Sequence, residues 1–149
     1  MIVEDKLLEH AQYVDNYYGT PRDYVEHKLE DGFDVILEIE IQGALKIREK
    51  FPDTVLMFLM PPTADELKKR LEGRGTEDEA TIKKRLLRAV EESQGVEEYD
   101  YIVINDVLDD CVEQIHEIIG NEHCKASNNL EKINQFRDEL TNMWKGDIR

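Results

Sequence analysis

The sequence predicts an α/β fold in which a parallel sheet is flanked by helices. Three observations predict it. From Phe33 onward, short apolar runs alternate with longer amphipathic ones, the pattern of strands joined by helical crossovers. These runs stop at Pro52, at Pro61 and Pro62, and at Gly73 and Gly75, residues that end strands and helices by removing an N–H donor or freeing the backbone. The 149 residues also suit a single domain, long enough to bury roughly two thirds of the unfolded surface without a disulfide or metal staple.

Taken in order, residues 1–32 differ in kind from the rest. They predict a short helix, then the aromatic and polar stretch Tyr13 to Pro21, "YVDNYYGTP", then a helix from Arg22 to Glu30. Asp34 to Ile41, "DVILEIEI", is apolar on both faces near its start and reads as a buried strand ending in Glu38 and Glu40. Gln42 to Lys50 is a short helix, and Thr54 to Met60 a second strand. Thr63 with Glu66 has capping-box spacing and opens a helix with Leu67 and Leu71 inward. Thr76 with Glu79 repeats the spacing and opens a helix carrying Ile82, Leu86 and Val90, with Gly95 weakening its end. Tyr101 to Asn105 is the third strand, and Asp109 or Asp110 caps a helix bearing Val112, Ile115 and Ile119. Three parallel strands with right-handed crossovers are expected. From Gly120 the chain turns polar, and then Leu130, Ile133, Phe136 or Arg137, Leu140 and Trp144 recur at helical spacing, as in an appended helix after a linker.

Composition narrows the function. With 34 acidic and 19 basic residues the net charge is −15, which repels nucleic acid and anionic lipid. The longest apolar run, Val55 to Met60, is far too short to span a bilayer, and Glu4 and Asp5 replace the basic start of a signal peptide, so a cytoplasmic protein is expected. Cys111 and Cys124 are expected as free thiols. Against this acidic background, Lys68, Lys69, Arg70, Arg74, Lys83, Lys84, Arg85 and Arg88 crowd one short stretch. A basic island in an acidic chain points to a local anion site.

Two constellations carry chemistry. Glu38 and Glu40 share a face at a strand end, where open α/β sheets place ligands, and could hold a hydrated metal ion or accept hydrogen bonds from a base or ribose. The plain alternative is an edge carboxylate in water. Arg70 lies one turn before Arg74, and Arg85 follows the hinge-like "GRGTEDE", so the three could close over a phosphoryl group and stabilise its charge. The plain alternative is solvated helix charge paired with Glu72 and Glu79. "NYYGT", Asn16 to Thr20, offers tyrosines and a hydroxyl to a planar polar ligand, or simply fills a core. His10, His27, His116 and His123 have no metal-ligand spacing, and no metal site is expected.

In order along the chain, "LLEHAQYVDNYYGTP", "DVILEIEIQGA", "FLMPPTADELKKRLEGRGTEDEATIKKRL" and "EEYDYIVINDVLDD" closely resemble guanylate kinases, which pass a phosphoryl group from ATP to GMP. The resemblance runs from about Met1 to Ile119. It implies a P-loop-kinase-like parallel sheet, with part of a GMP-binding lobe in 1–32, a core in 33–119 and a lid near 73–85. It further implies that Glu9 hydrogen-bonds the guanine edge, that Tyr18 and Thr20 contact the GMP phosphate and its surroundings, and that Glu40 reads the guanine amino side. Arg70, Arg74 and Arg85 would be lid arginines gripping ATP and the transfer-site phosphates, and Asn105 would border the adenine pocket. ATP and Mg2+ are the implied cofactors.

The chain departs from the family's pattern in four ways. Glu40 stands where the family usually has aspartate, Gly95 interrupts a usually continuous helix, and residues 120–149 match nothing identified in the family. The largest departure is that no G-x-x-x-x-G-K-[ST] phosphate loop occurs in the 149 residues, nor the upstream arginines and tyrosine or the central strand leading to that loop. The expectation is therefore a truncated guanylate kinase, inactive alone. The alternative is a non-catalytic guanylate-kinase-like module that binds a partner protein. Because a missing central strand leaves Val35 to Ile39 and Val55 to Leu59 with open edges, a homodimer helped by the carboxy-terminal helix is expected.

Overall fold

A computed structural model describes residues 7–13, 16–73, 75 and 78–147. The elements run β1 (Leu7–Tyr13), β2 (Asn16–Pro21), α1 (Arg22–Glu30), α2 (Ile41–Lys50), β3 (Met57–Met60), α3 (Ala64–Gly73), α4 (Glu79–Ser93), β4 (Tyr101–Ile104), α5 (Leu108–His123) and α6 (Leu130–Asp147). Short 3-10 turns occupy Val96–Glu98 and Ala126–Asn129. This is a mixed α/β fold. Two compact units divide it, residues 1–59 with 63–102, and residues 60–62 with 103–149.

In the first unit, β1 and β2 form an antiparallel pair with Ala11 opposite Tyr18 and Tyr13 opposite Asn16, and the register slips between Leu7 and His10. The helix expected at the start is thus a strand over Leu7 to Tyr13. Leu, Glu, Ala and Gln favour helix locally, but pairing with the aromatic β2 and burial of Leu8 against Val25 and Ile47 override that preference. Helix α1 falls where the periodicity places it. It ends in a glycine-dependent turn, with Gly32 at φ 85° and the Phe33 N–H donating to Lys28 O at 3.0 Å.

The core of this unit is Leu8, Val25 and Ile47, with Val35, Leu37, Ile39 and Phe51 packed against it. The segment Val35 to Ile39 is extended and keeps the two-residue period, since Val35, Leu37 and Ile39 turn inward while Ile36 is 74% exposed. It joins no sheet among the described residues. The expected doubly buried strand is therefore buried on one face only, because among the described residues no neighbouring strand covers the other.

Strands β3 and β4 form the parallel sheet. The Tyr101 N–H donates to Leu56 O and the Asn105 N–H to Met60 O, so the partner advances four residues on each strand in the same direction. Thr63 Oγ1 accepts the Glu66 N–H at 3.1 Å, which caps α3 as its spacing predicts. At α4 the cap is Asp78, accepting the Thr81 N–H at 2.8 Å. The expected cap Thr76 lies outside the described residues.

In the second unit Val103 is fully buried, and α5 turns Cys111, Ile115 and Ile118 inward. Val112, expected on that face, is 57% exposed, so the inner stripe is rotated by one residue. Asp109 and Asp110 lie in the first turn of α5 instead of capping it; Val107 is the N-cap. There they face the positive end of the helix. The polar stretch expected as a linker continues α5 to His123 and then closes its end. Asn128 Nδ2 donates to Glu122 O at 2.7 Å, and Asn129 Nδ2 to His123 O and Lys125 O at 2.7 and 2.8 Å. The Glu122 and Lys125 carbonyls also accept the Lys125 and Asn128 N–H groups, so the amides reinforce the turn that ends α5. Among the described residues no helix is long and apolar enough to cross a membrane.

Candidate active site

Glu38 and Glu40 lie on the exposed face of the extended segment, opposite the inward Val35, Leu37 and Ile39. Their two-residue spacing therefore puts both carboxylates on one side, as the sequence predicts. Glu40 is also the residue preceding α2. Its carbonyl accepts the Ala44 N–H at 3.0 Å, but its side chain makes no cap hydrogen bond. The carboxylate is instead paired through Oε2 with Nη2 of Arg88 on α4. Arg88 in turn donates through Nε to Glu92 Oε1 at 3.1 Å, one helical turn further on. The Arg88 guanidinium is held above its ordinary pKa: burial works against its charge, and the carboxylates of Glu92 and Glu40 outweigh that.

Around this pair opens a cavity of about 370 Å³, with Glu40, Gln42, Lys84, Arg88, Glu91 and Glu92 as its polar wall. Ile41 and Leu87 supply apolar surface. Both signs of charge meet there, so the cavity suits a ligand with donors on one edge and negative charge elsewhere.

Glu9 lies on β1 within the stretch where the pairing register slips, and Tyr18 on β2 opposite Ala11. Their side chains are not described. Thr20 is half-buried on β2. Arg70 on α3 is held by Glu66 through a 2.8 Å hydrogen bond from Nε. Arg85 is half-buried on α4, and α3 and α4 contact each other. Arg74 lies outside the described residues. The solvated-helix alternative thus gains a partner for Arg70, although it is Glu66 and not Glu72; Glu72 pairs with Lys68 at 3.8 Å. Asn105, in the second unit, follows β4 and is half-buried.

Arg88 escaped the sequence reading except as one charge in the basic island. The available signal was the spacing of Lys84, Arg88 and Glu92 along one helical stripe; its pairing with Glu40 spans 48 residues, beyond any local pattern.

Comparison with known proteins supplies a family. The profile described as guanylate kinase matches residues 1–122. A guanylate kinase of Halalkalibacterium halodurans is 51% identical over 136 residues, which is 91% of this chain and 67% of that protein. One of Latilactobacillus sakei is 49% identical over 138 residues, 93% of this chain and 68% of its own length. One of Bacillus cereus matches over 141 residues, 95% of the chain, so the likeness runs past residue 122 into α6, against the expectation that residues 120–149 match nothing in the family. The crystal structure of guanylate kinase from Anaplasma phagocytophilum superposes with a TM-score of 0.72 at 29% identity, covering 91% of this chain and 67% of that one. The chain thus spans about two thirds of the length of these relatives. With about half of the aligned residues identical to the Halalkalibacterium and Latilactobacillus proteins and the α/β architecture shared with the solved one, the chain belongs to the guanylate kinase family.

Proposed function

We propose that this chain serves the ATP-dependent phosphorylation of GMP to GDP, with residues 1–119 as its kinase-like domain, residues 73–85 as the lid and residues 120–149 as a carboxy-terminal helical tail. The observation that carries the reading is the cavity in which the carboxylate of Glu40, just before α2, meets Arg88 and Lys84 of α4. Guanine offers adjacent N1–H and 2-amino donors that a carboxylate accepts, a pair that adenine lacks, and the phosphates require cations. On this reading Glu9 and Glu40 hold the guanine edge, and Tyr18 and Thr20 bear on the GMP phosphate. Arg70, Arg74 and Arg85 stabilise the charge that spreads over the transferring phosphoryl group, and Asn105 borders the adenine of ATP. Mg2+ in such sites is carried largely by nucleotide phosphates and water with one or two carboxylates. The exposed Glu38, on the same face as Glu40, would share in holding GMP; the ion would supply charge neutralisation.

These 149 residues contain no phosphate-loop motif, so by themselves they are expected to bind GMP and turn it over poorly. A cytoplasmic location follows from the substrates. Self-association through α6 belongs to the same proposal, because Leu130, Phe136, Leu140, Met143 and Trp144 are 49–70% exposed on it.

Calorimetric titration with GMP and AMP, alongside a coupled kinase assay, tests the reading. Heat with GMP and none with AMP is expected, with turnover at least about a hundredfold below that of a complete relative. Indifference to GMP, with a partner protein bound in its place, would favour the non-catalytic module.

A further inference from the structure

We propose that Arg88 is a positioning residue for guanine recognition, holding one oxygen of Glu40 so that the other is presented to the base. The inference rests on the functional reading above and adds to it a second arginine of α4.

Glu40 occupies the position just before α2, from which a shorter side chain would turn back onto the helix amides. It does not; its Oε2 is taken by Arg88 Nη2. Arg88 is itself fixed, since its Nε donates to Glu92 Oε1 at 3.1 Å. A planar guanidinium held at both ends has little freedom left, which a lysine ammonium on a flexible stem would not reproduce. A second contact docks α4 on the next residue of the same segment. A Cβ on Gly95, just beyond the end of α4, would lie 2.8 Å from Ile41 Cδ1. The bare glycine backbone therefore lies against Ile41 while Arg88 holds Glu40.

A carboxylate has acceptor sites on both oxygens. With Oε2 committed to Arg88, Oε1 remains for an N–H donor in the cavity that Glu40, Gln42 and Arg88 line. Glutamate has one more rotatable bond than aspartate, so an unrestrained Glu40 would have to be ordered when the base arrives. Arg88 removes that freedom beforehand. It also stands one turn beyond Arg85 on α4, so contact with the guanine edge and with the phosphoryl group would bear on one helix.

The test is calorimetric titration of the 149-residue chain with GMP and with IMP, which lacks the 2-amino donor. Wild type, Arg88→Ala, Arg88→Gln and Arg88→Lys are compared, each first checked for folding by circular dichroism. Arg88→Gln keeps most of the stem and an N–H donor if the alanine variant fails to fold. Loss of the guanidinium is expected to weaken GMP about tenfold and IMP much less, so that the GMP:IMP affinity ratio falls. Arg88→Lys should recover part of the GMP affinity. If wild type binds GMP and the variants keep its GMP:IMP ratio, Arg88 has no positioning role and the functional reading stands. If wild type binds GMP no better than IMP, the positioning role falls alone; if it gives no heat with GMP, both fall together.

Discussion

Arg48 on α2 pairs through Nη2 with Asp100 Oδ2, joining residues 52 apart in sequence. The same oxygen accepts the Leu56 N–H at 2.8 Å, and the Asp100 and Tyr101 N–H groups both donate to Leu56 O, at 3.0 and 3.1 Å. One carboxylate thus ties α2, the residue before β3 and the start of β4.

Replacing Asp100 by Ala should therefore cost more than an ordinary surface ion pair. Arg48 Nε is already buried without an acceptor among the described residues, so loss of Asp100 removes the main anchor of a partly buried guanidinium. A loss of about 2 kcal/mol is expected from the midpoint of urea unfolding at unchanged slope. Asp100→Asn, which can still accept the Leu56 N–H, should lose about half as much. A midpoint unmoved by Asp100→Ala would show that the three segments hold together by apolar packing alone.

Asp78 should make the first turn of α4 sensitive to acid. Hydrogen bonding from Thr81 to its carboxylate holds its pKa below the ordinary 3.8. A depressed folded pKa means that the stabilisation is present above the unfolded pKa and is lost as pH falls through the folded one. Amide exchange at Thr81 should accelerate in Asp78→Ala at pH 7, and the difference from wild type should vanish at strongly acidic pH. A difference that persists there would assign the effect to backbone geometry.

Tyr99 predicts the alkaline limb. Burial, with a smaller contribution from the Glu92 charge, raises its pKa above 10.0, and its ring meets Phe58 edge to face at 5.3 Å. A raised folded pKa favours the neutral form in the fold, so its contribution is present below pH 10 and is lost as pH rises through the higher folded value. Tyr99→Phe keeps the ring contact and removes the titration. It should flatten the fall in melting temperature above pH 10, and an unchanged slope would exclude Tyr99 as its source.

Light scattering at low micromolar concentration addresses the exposed face of α6. Association is expected, with dissociation when Leu140 and Trp144 both become Ala. Those two are 49% and 70% exposed, and aromatic anchors of this kind carry much of an interface's energy. A cooperatively unfolding monomer at the same concentration would remove self-association from the proposal.

By itself, the sequence determined what depends on local spacing. The helix Arg22–Glu30, the Thr63 cap, the placement of β3 and β4 and the common face of Glu38 and Glu40 all follow from periods of 3.6 and 2 and from stop residues within a few positions. Its ordered motifs also carried the family. Only the tertiary structure decided the rest, because the deciding partners are distant in the chain or are backbone groups. Leu7 to Tyr13 became a strand through pairing with β2, and Val35 to Ile39 joins no sheet among the described residues. Asn128 and Asn129, which read as linker, became donors to the carbonyls at the end of α5. Arg88 became part of the site because folding brings α4 to Glu40: local spacing records helical faces and caps, but not which side chain from 48 residues away will neutralise an exposed carboxylate.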